Sequence, residues 1–198
     1  MHRGAQGLSQ RQGGTPAVRL GVFGGSFDPP HIGHFLAASD AAERLGLDRV
    51  FWVPTAQQPL KAGTPHVASA DARFRMVQAA VSSHAIFESS RIEIDRSGLS
   101  YTVATAQSFA AQFPGAELFL LVGEDAWSRF EDWHEPEKIR TLVQIEILAR
   151  KTESEFSGRV IEVSSTEIRA RARDGRSVRG FVQDAVAEII ESERLYQW

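Results

Sequence analysis

The chain has 198 residues, long enough for one well-formed core with no sign of a second, and its 22 Lys and Arg stand against 25 Asp and Glu for a formal charge of -3. That balance, without a Lys/Arg block, excludes a general nucleic-acid or membrane-surface binder. The absence of cysteine excludes disulfides, thiolate metal sites and a cysteine nucleophile, and suits a reducing cytoplasm.

Met1 to Pro16 is polar and rich in Gly, Gln and Arg, without the apolar core of a secretory signal. Residues 1–17 are expected to be a disordered extension and residues 18–198 one domain. No apolar run approaches the roughly 20 residues of a membrane span. From Val18 the sequence alternates strand-like and helix-like segments, the pattern of a parallel sheet with crossover helices. The expected fold is therefore α/β, a Rossmann-like doubly wound, mostly parallel sheet with helices on both faces.

Leu20 to Phe23 reads as a buried strand that breaks into Gly24-Gly25-Ser26, and His34 to Leu45 as a helix ended by Gly46. Arg49 to Val53 is the second strand. Pro54 to Ser69 is broken by three prolines and Gly63 into a long loop at the sheet's C-terminal edge. Asp71 to Val81 is an amphipathic helix with Phe74, Val77 and Val81 inward, leading to a strand at Arg91 to Ile94. A turn at Ser97 to Ser100 introduces a helix from Tyr101 to Gln112, and Glu117 to Val122 is the clearest buried strand, running into Gly123-Glu124-Asp125. Further strands are expected at Glu146 to Ala149 and Val160 to Val163. Ser164-Ser165-Thr166 caps a helix over Glu167 to Arg173, and a last helix spans Val178 to Ser192.

The unusual residues gather after strand ends, the edge where open α/β sheets bind ligands. Gly24-Gly25 offers bare backbone N–H groups there, and the following helix points its positive end at the same spot. It is neither a Walker A loop nor a GxGxxG fingerprint. Taken alone, His31 and His34 suit a metal pair, capped surface histidines or an anion site. Ser164-Ser165-Thr166 alone is a helix cap. Together, two helix N-termini from opposite ends of the chain, with Arg169 one turn inside the second, point to a polyphosphate between them. Aligned phosphates and charge neutralisation can supply rate there without a covalent nucleophile.

The stretch GGSFDPPHIGH, residues 24–34, resembles the GGxFDPxHxGH signature of the nucleotidylyltransferase superfamily, and VSSTEIRAR, residues 163–171, resembles its SSTxIR motif. The resemblance runs from about Arg19 to Tyr196 and is closest to the bacterial branch that joins ATP to nicotinate mononucleotide. Val53-Pro54 with Pro59 and Lys61, the Ser100-Tyr101-Thr102 turn, Gly123-Glu124-Asp125 followed by Trp133, and Leu148-Ala149-Arg150 agree with that branch.

The resemblance implies a catalytic set of His34, His31, Lys61 and Arg150. In it His34 lies against the ATP α-phosphate, His31 on the neighbouring phosphates, and Lys61 and Arg150 on the departing pyrophosphate. It implies ATP contacts from Gly24, Gly25, Ser26 and Phe27, triphosphate anchoring by Ser165, Thr166 and Arg169, and ribose contacts from Gly123 and Asp125. Trp133 would stack on the pyridine ring, beside Tyr101, with the backbone amides of Thr102 and His134 taking the nicotinate carboxylate. Lys61 would also face this acceptor. Mg2+ would arrive on the ATP phosphates with no metal site of the protein's own. Neither nucleic acid nor membrane is an expected partner, and a homo-oligomer is compatible with the chain. Two departures from the pattern stand out: Gln58-Pro59-Leu60-Lys61 replaces PPHK, and Phe181-Val182-Gln183 replaces Leu-Val-Pro, where only the start of the last helix should change.

Overall fold

The computed structural model describes residues 17–57, 67–96, 98–148 and 162–197. Residues 1–16 of the expected extension, the loop residues Gln58 to Lys61, Ser97, and the segment from Ala149 and Arg150 to Ile161 lie outside the described residues.

Five strands form one sheet: β1 (Arg19–Gly25), β2 (Arg49–Pro54), β3 (Phe87–Ser89), β4 (Glu117–Gly123) and β5 (Gln144–Leu148). Their order is β3-β2-β1-β4-β5 and every pair is parallel, so the sheet is more uniform than the mostly parallel one expected. The helices are α1 (Ile32–Leu45), α2 (Ala70–Val81), α3 (Thr102–Gln112), α4 (Glu124–Trp127), α5 (Pro136–Leu142), α6 (Ser165–Arg173) and α7 (Asp184–Ser192). A 3-10 turn at Phe130–Asp132 links α4 to α5.

The strands are apolar at consecutive positions because alternate side chains enter separate cores. Val50, Trp52, Phe119 and Leu121 join Phe23 beneath α1 and α2. Phe51, Val53, Leu118, Leu120 and Val122 join Leu20 and Val22 beneath α3 and α5. A third cluster lies on the far side of α2, where Ala72, Met76 and Ala80 meet Ile168 of α6 and Val186, Ala187 and Ile190 of α7. α2 is thus buried on two faces, with Val77 and Val81 toward the sheet. The chain reverses direction across the sheet between β1 and β4, which opens a crevice at their carboxyl ends.

Four expectations need correction. Arg91 to Ile94 is no strand: the edge strand is Phe87–Ser89, and Asp95 N–H bonds Arg91 O at 2.9 Å to close a turn that sends Glu93 inward. Phe74 is only partly buried, while the neighbouring Arg73 is fully buried. Glu162 and Val163 belong to no strand. The last helix starts at Asp184, because Gly180 at φ 83° and the Arg179–Val182 bridge hold the preceding residues in a turn. The residue that departs from the family pattern, Gln183, is the N-cap of that helix and makes no side-chain capping bond. Elements α4, α5 and the 3-10 turn add to those read from sequence.

Ile168 is completely buried where α6 meets α2 and α7. Ile168→Ala should lower the unfolding free energy by about 2–5 kcal/mol, measured by urea denaturation.

Candidate active site

The chain leaving β1 makes a turn whose carbonyl groups are engaged from behind. Gly25 O accepts from Thr55 N–H at 2.9 Å and from Thr55 Oγ1 at 3.2 Å. Ser26 O accepts from Arg73 Nη1 at 2.8 Å, Asp28 O from Arg169 Nη1 at 2.7 Å, and Pro29 O from Ser165 Oγ at 2.9 Å. The negative ends of these peptide dipoles are therefore spent on protein donors, which favours an anion on the opposite side.

The Asp28 carboxylate is itself buried and accepts Val67 N–H at 2.8 Å, Ala68 N–H at 3.2 Å and the Tyr196 hydroxyl at 2.8 Å. Burial and the Asp28 charge push the Tyr196 hydroxyl far above the usual phenol range, so it stays a donor. Phe27 occupies a left-handed conformation, φ 46°, with its ring buried against Phe23 at 5.3 Å, Trp52 at 5.2 Å and His34 at 5.2 Å. What Phe27 can offer a ligand is backbone, since its ring is buried against His34.

The two histidines cap α1 reciprocally. His31 is the N-cap and its Nδ1 accepts His34 N–H at 3.3 Å, while His34 Nδ1 accepts His31 N–H at 3.2 Å. This is a capping box with imidazoles in place of the usual hydroxyl and carboxylate. Both Nδ1 atoms act as acceptors, so each neutral ring carries its proton on Nε2. The rings stack with centroids 3.6 Å apart. Burial, and secondarily the nearby His31, hold His34 well below the ordinary imidazole value. At neutral pH His34 is therefore an uncharged Nε2–H donor at the positive end of a helix dipole.

Glycine marks the open face of the crevice. A Cβ on Gly24 or on Gly123, at the carboxyl ends of β1 and β4, would meet nothing within 4 Å, so close packing inside the chain does not demand glycine there. Gly25 differs, because its Cβ would come within 3.0 Å of the Phe27 ring. Gly123 is also the N-cap of α4, which carries Asp125 in its first turn.

On the other side of the sheet, Tyr101 is the N-cap of α3 and Thr102 its first residue, with no side chain capping that end. The Tyr101 and His134 rings lie 4.5 Å apart, and the partly buried Trp133 packs 5.1 Å from Phe130. Thus His31, His34, Ser26 and Phe27 are brought together with Ser165 and Arg169, and Tyr101 and Thr102 with His134. Ser165 and Arg169 spend hydrogen bonds on the turn itself, and Arg169 Nη2 also donates to Thr166 Oγ1 at 3.2 Å. Lys61 and Arg150 lie outside the described residues. Among the described residues no group of three or more His, Cys, Asp or Glu could hold a metal ion, and no helix is long and apolar enough to cross a membrane.

Sequence reasoning missed Arg73, Glu93 and Tyr196. The signal for Tyr196 was an aromatic at the end of the resemblance; Arg73 and Glu93 gave none that separates them from solvated charges. Burial pushes the Glu93 carboxyl up, opposed by bonds from Thr105 and Ser100.

A parallel sheet whose strand order reverses beside a turn with internally bonded carbonyls and a helix capped by two imidazoles defines an α/β protein built to bind and transfer nucleotides. The cytidylyltransferase-like family matches residues 22–171. A relative from Gemmatimonas aurantiaca, named as a probable nicotinate-nucleotide adenylyltransferase, is 43% identical over 91% of this chain and 93% of its own. One of the same name from Thermus thermophilus is 42% identical over 91% of this chain and all of its own, 100%. The chain belongs to the cytidylyltransferase-like family, among its nicotinate-nucleotide adenylyltransferases. Two solved structures share the fold. One, assigned to that activity, is from Vibrio parahaemolyticus (TM-score 0.72, 19% identity, 91% of this chain and 96% of that one). The other is the Plasmodium falciparum enzyme complexed with NaAD (TM-score 0.70, 14% identity, 90% and 97%).

The depressed His34 value has a stability consequence. Between it and the unfolded value of about 6.5 the unfolded chain binds more protons than the native one, so stability rises with pH there and is lost as pH falls below about 6.5. Urea midpoints at pH 7 and pH 5 should show a drop for the wild type that is smaller in His34→Asn, which keeps an acceptor for His31 N–H without a titrating ring.

Proposed function

We propose that this chain transfers the adenylyl group of ATP to the phosphate of nicotinate mononucleotide, yielding deamido-NAD and pyrophosphate in NAD biosynthesis. The observation that carries this reading is the reciprocal His31–His34 cap set against a turn whose carbonyls face inward, in a chain of this family. An acceptor phosphate oxygen attacks the α-phosphorus in line with the bond to the β-phosphate oxygen. That bond breaks and its electron pair leaves on pyrophosphate, so no covalent enzyme intermediate forms.

His34 Nε2–H donates to an α-phosphate oxygen and is worth most as charge accumulates there in the transition state. A neutral donor suits this task, because it holds its proton through the reaction. His31 takes the neighbouring phosphates, and Gly24, Gly25 and Ser26 line the turn beneath them. The α6 N-terminus with Thr166 supports the triphosphate, while Ser165 and Arg169 hold the turn and the Arg169 charge acts on the same anion. Lys61 and Arg150 neutralise departing pyrophosphate. Gly123 and Asp125 receive the ribose, where the missing Cβ of Gly123 leaves room. Trp133 stacks on the pyridine, near Tyr101, and the amides of Thr102 and His134 take its carboxylate. The donor set suits Mg2+ that enters on ATP, since the buried Asp28 carboxylate is engaged by three protein donors. The ion would supply charge neutralisation of the phosphates. A cysteine-free chain of this kind suits the cytoplasm.

His34→Ala should lower kcat by at least about 10²–10³-fold, the cost of losing one oxyanion donor, with the ATP dissociation constant little changed. Single-turnover kinetics beside equilibrium binding checks this, and full activity in the variant would sink the assignment. Nicotinate mononucleotide should also outperform nicotinamide mononucleotide in a pyrophosphate-release assay, since two amide donors would lose an anionic partner in the amide. Equal kcat/KM for the two acceptors would remove Thr102 and His134 from that role.

A further inference from the structure

Arg73 is 1% exposed and Glu93 6% exposed, yet no substrate role falls to either. A charge this deeply buried is costly unless its bonds are made, and both sets of partners are specific. Arg73 donates to Ser26 O at 2.8 Å, to Ala68 O at 3.4 Å and to Ala56 O at 3.5 Å. Ser26 belongs to the phosphate turn, Ala56 follows β2, and Ala68 precedes α2. Ala56 N–H in turn donates to Ser100 Oγ at 3.1 Å, and Ser100 N–H donates to Gln57 O at 2.9 Å. Ser100 hydrogen-bonds the Glu93 carboxylate, which also accepts Thr105 Oγ1 at 2.7 Å from the first turn of α3. Arg96 reaches the same hydroxyl, Nη2 to Thr105 Oγ1, at 3.3 Å.

These bonds make one unbroken path through the interior. It starts at the turn that faces the ATP phosphates and ends at the helix whose N-terminus faces the acceptor. Its strands and helices belong to opposite sides of the sheet: α2, which carries Arg73, packs under one face, and α3, which carries Thr105, under the other. Strand pairing alone leaves the two loop systems free to shift relative to one another, because each is anchored only where its strand ends. In-line displacement tolerates little such shift, since misplacement by about 1 Å can cost 10²-fold.

We propose that Arg73 and Glu93 are positioning residues for adenylyl transfer, and that the buried relay Ser26–Arg73–Ala56–Ser100–Glu93–Thr105 sets the register between the donor-phosphate turn and the acceptor end of α3. The guanidinium is suited to this place because its planar fork reaches three carbonyls at once, which an ammonium on the same stem does not. The proposal rests on the adenylyl-transfer reading above.

The test uses Arg73→Lys, Glu93→Gln and Ser100→Ala in the full chain. Ser100→Ala is the mildest and keeps the experiment decisive if either charge variant fails to fold. For each folded variant, the dissociation constants of ATP and of nicotinate mononucleotide are measured one ligand at a time by calorimetry. Pyrophosphate release then gives kcat per folded molecule. Expected are single-ligand constants within about threefold of wild type and kcat lowered about 10- to 100-fold. A purely structural role would lower the unfolding midpoint and leave kcat per folded molecule unchanged, and that result overturns the proposal. So does a kcat loss matched by an equal loss of ATP affinity. Absence of pyrophosphate release by the wild type overturns the adenylyl-transfer reading instead, which separates the two failures.

Discussion

The turn after β1 can face an anion only because its carbonyls have been turned away and bonded. Thr55, Arg73, Arg169 and Ser165 each hold one or more of them, and these donors come from β2's end, α2 and α6. Without such donors the carbonyl dipoles would be free to swing toward the crevice and oppose a phosphate. The turn is thus a product of tertiary structure as much as of its glycines. The C-terminal helices are required for it although they lie far along the chain: Tyr196 closes the ring from behind through Asp28, and Phe181 O receives the N–H of Ile32 at 2.9 Å.

The same constraint sets the state of the histidines. Once the turn is fixed, α1 must begin at Ile32, and its unsatisfied N–H groups need acceptors. His31 and His34 provide them with Nδ1, which puts the proton of a neutral ring on Nε2. Burial of His34 and, secondarily, the nearby His31 disfavour a positive charge on it. In the proposed reaction, helix capping and transition-state stabilisation are two uses of one pair of imidazoles. A donor that carries no net charge binds ground-state triphosphate modestly and gains most as the α-phosphate develops charge, which is the differential that raises turnover.

Much of this was legible in the sequence, for particular reasons. Gly24 to His34 could be read because glycine, proline and histidine at fixed spacing after an apolar strand have few other uses. Buried strands such as Leu118 to Val122 announced themselves by unbroken hydrophobicity. Arg91 to Ile94 misled because alternation of apolar and polar residues also suits a turn that folds one polar side chain inward, here Glu93 onto Thr105. β3 has only three residues, too few to carry a period, and Pro136 to Leu142 too few to outweigh the polar residues around it. Arg73 sits in a helix whose charged residues look uniformly solvated, and only its partners, 5, 17 and 47 residues away, distinguish it. Such partners are invisible to any local pattern. Ser165 and Arg169 lie against the turn after β1, and sequence could not show that they bond its backbone.

The account turns on two imidazoles whose Nδ1 atoms accept backbone N–H groups, with His34 held neutral by burial. Nitrogen-15 correlation spectroscopy of the histidine side chains at pH 7 reads tautomer and charge directly. The account predicts, for both His31 and His34, an unprotonated Nδ1 and a protonated Nε2. An Nδ1–H tautomer at either residue, or an imidazolium at His34, would contradict it.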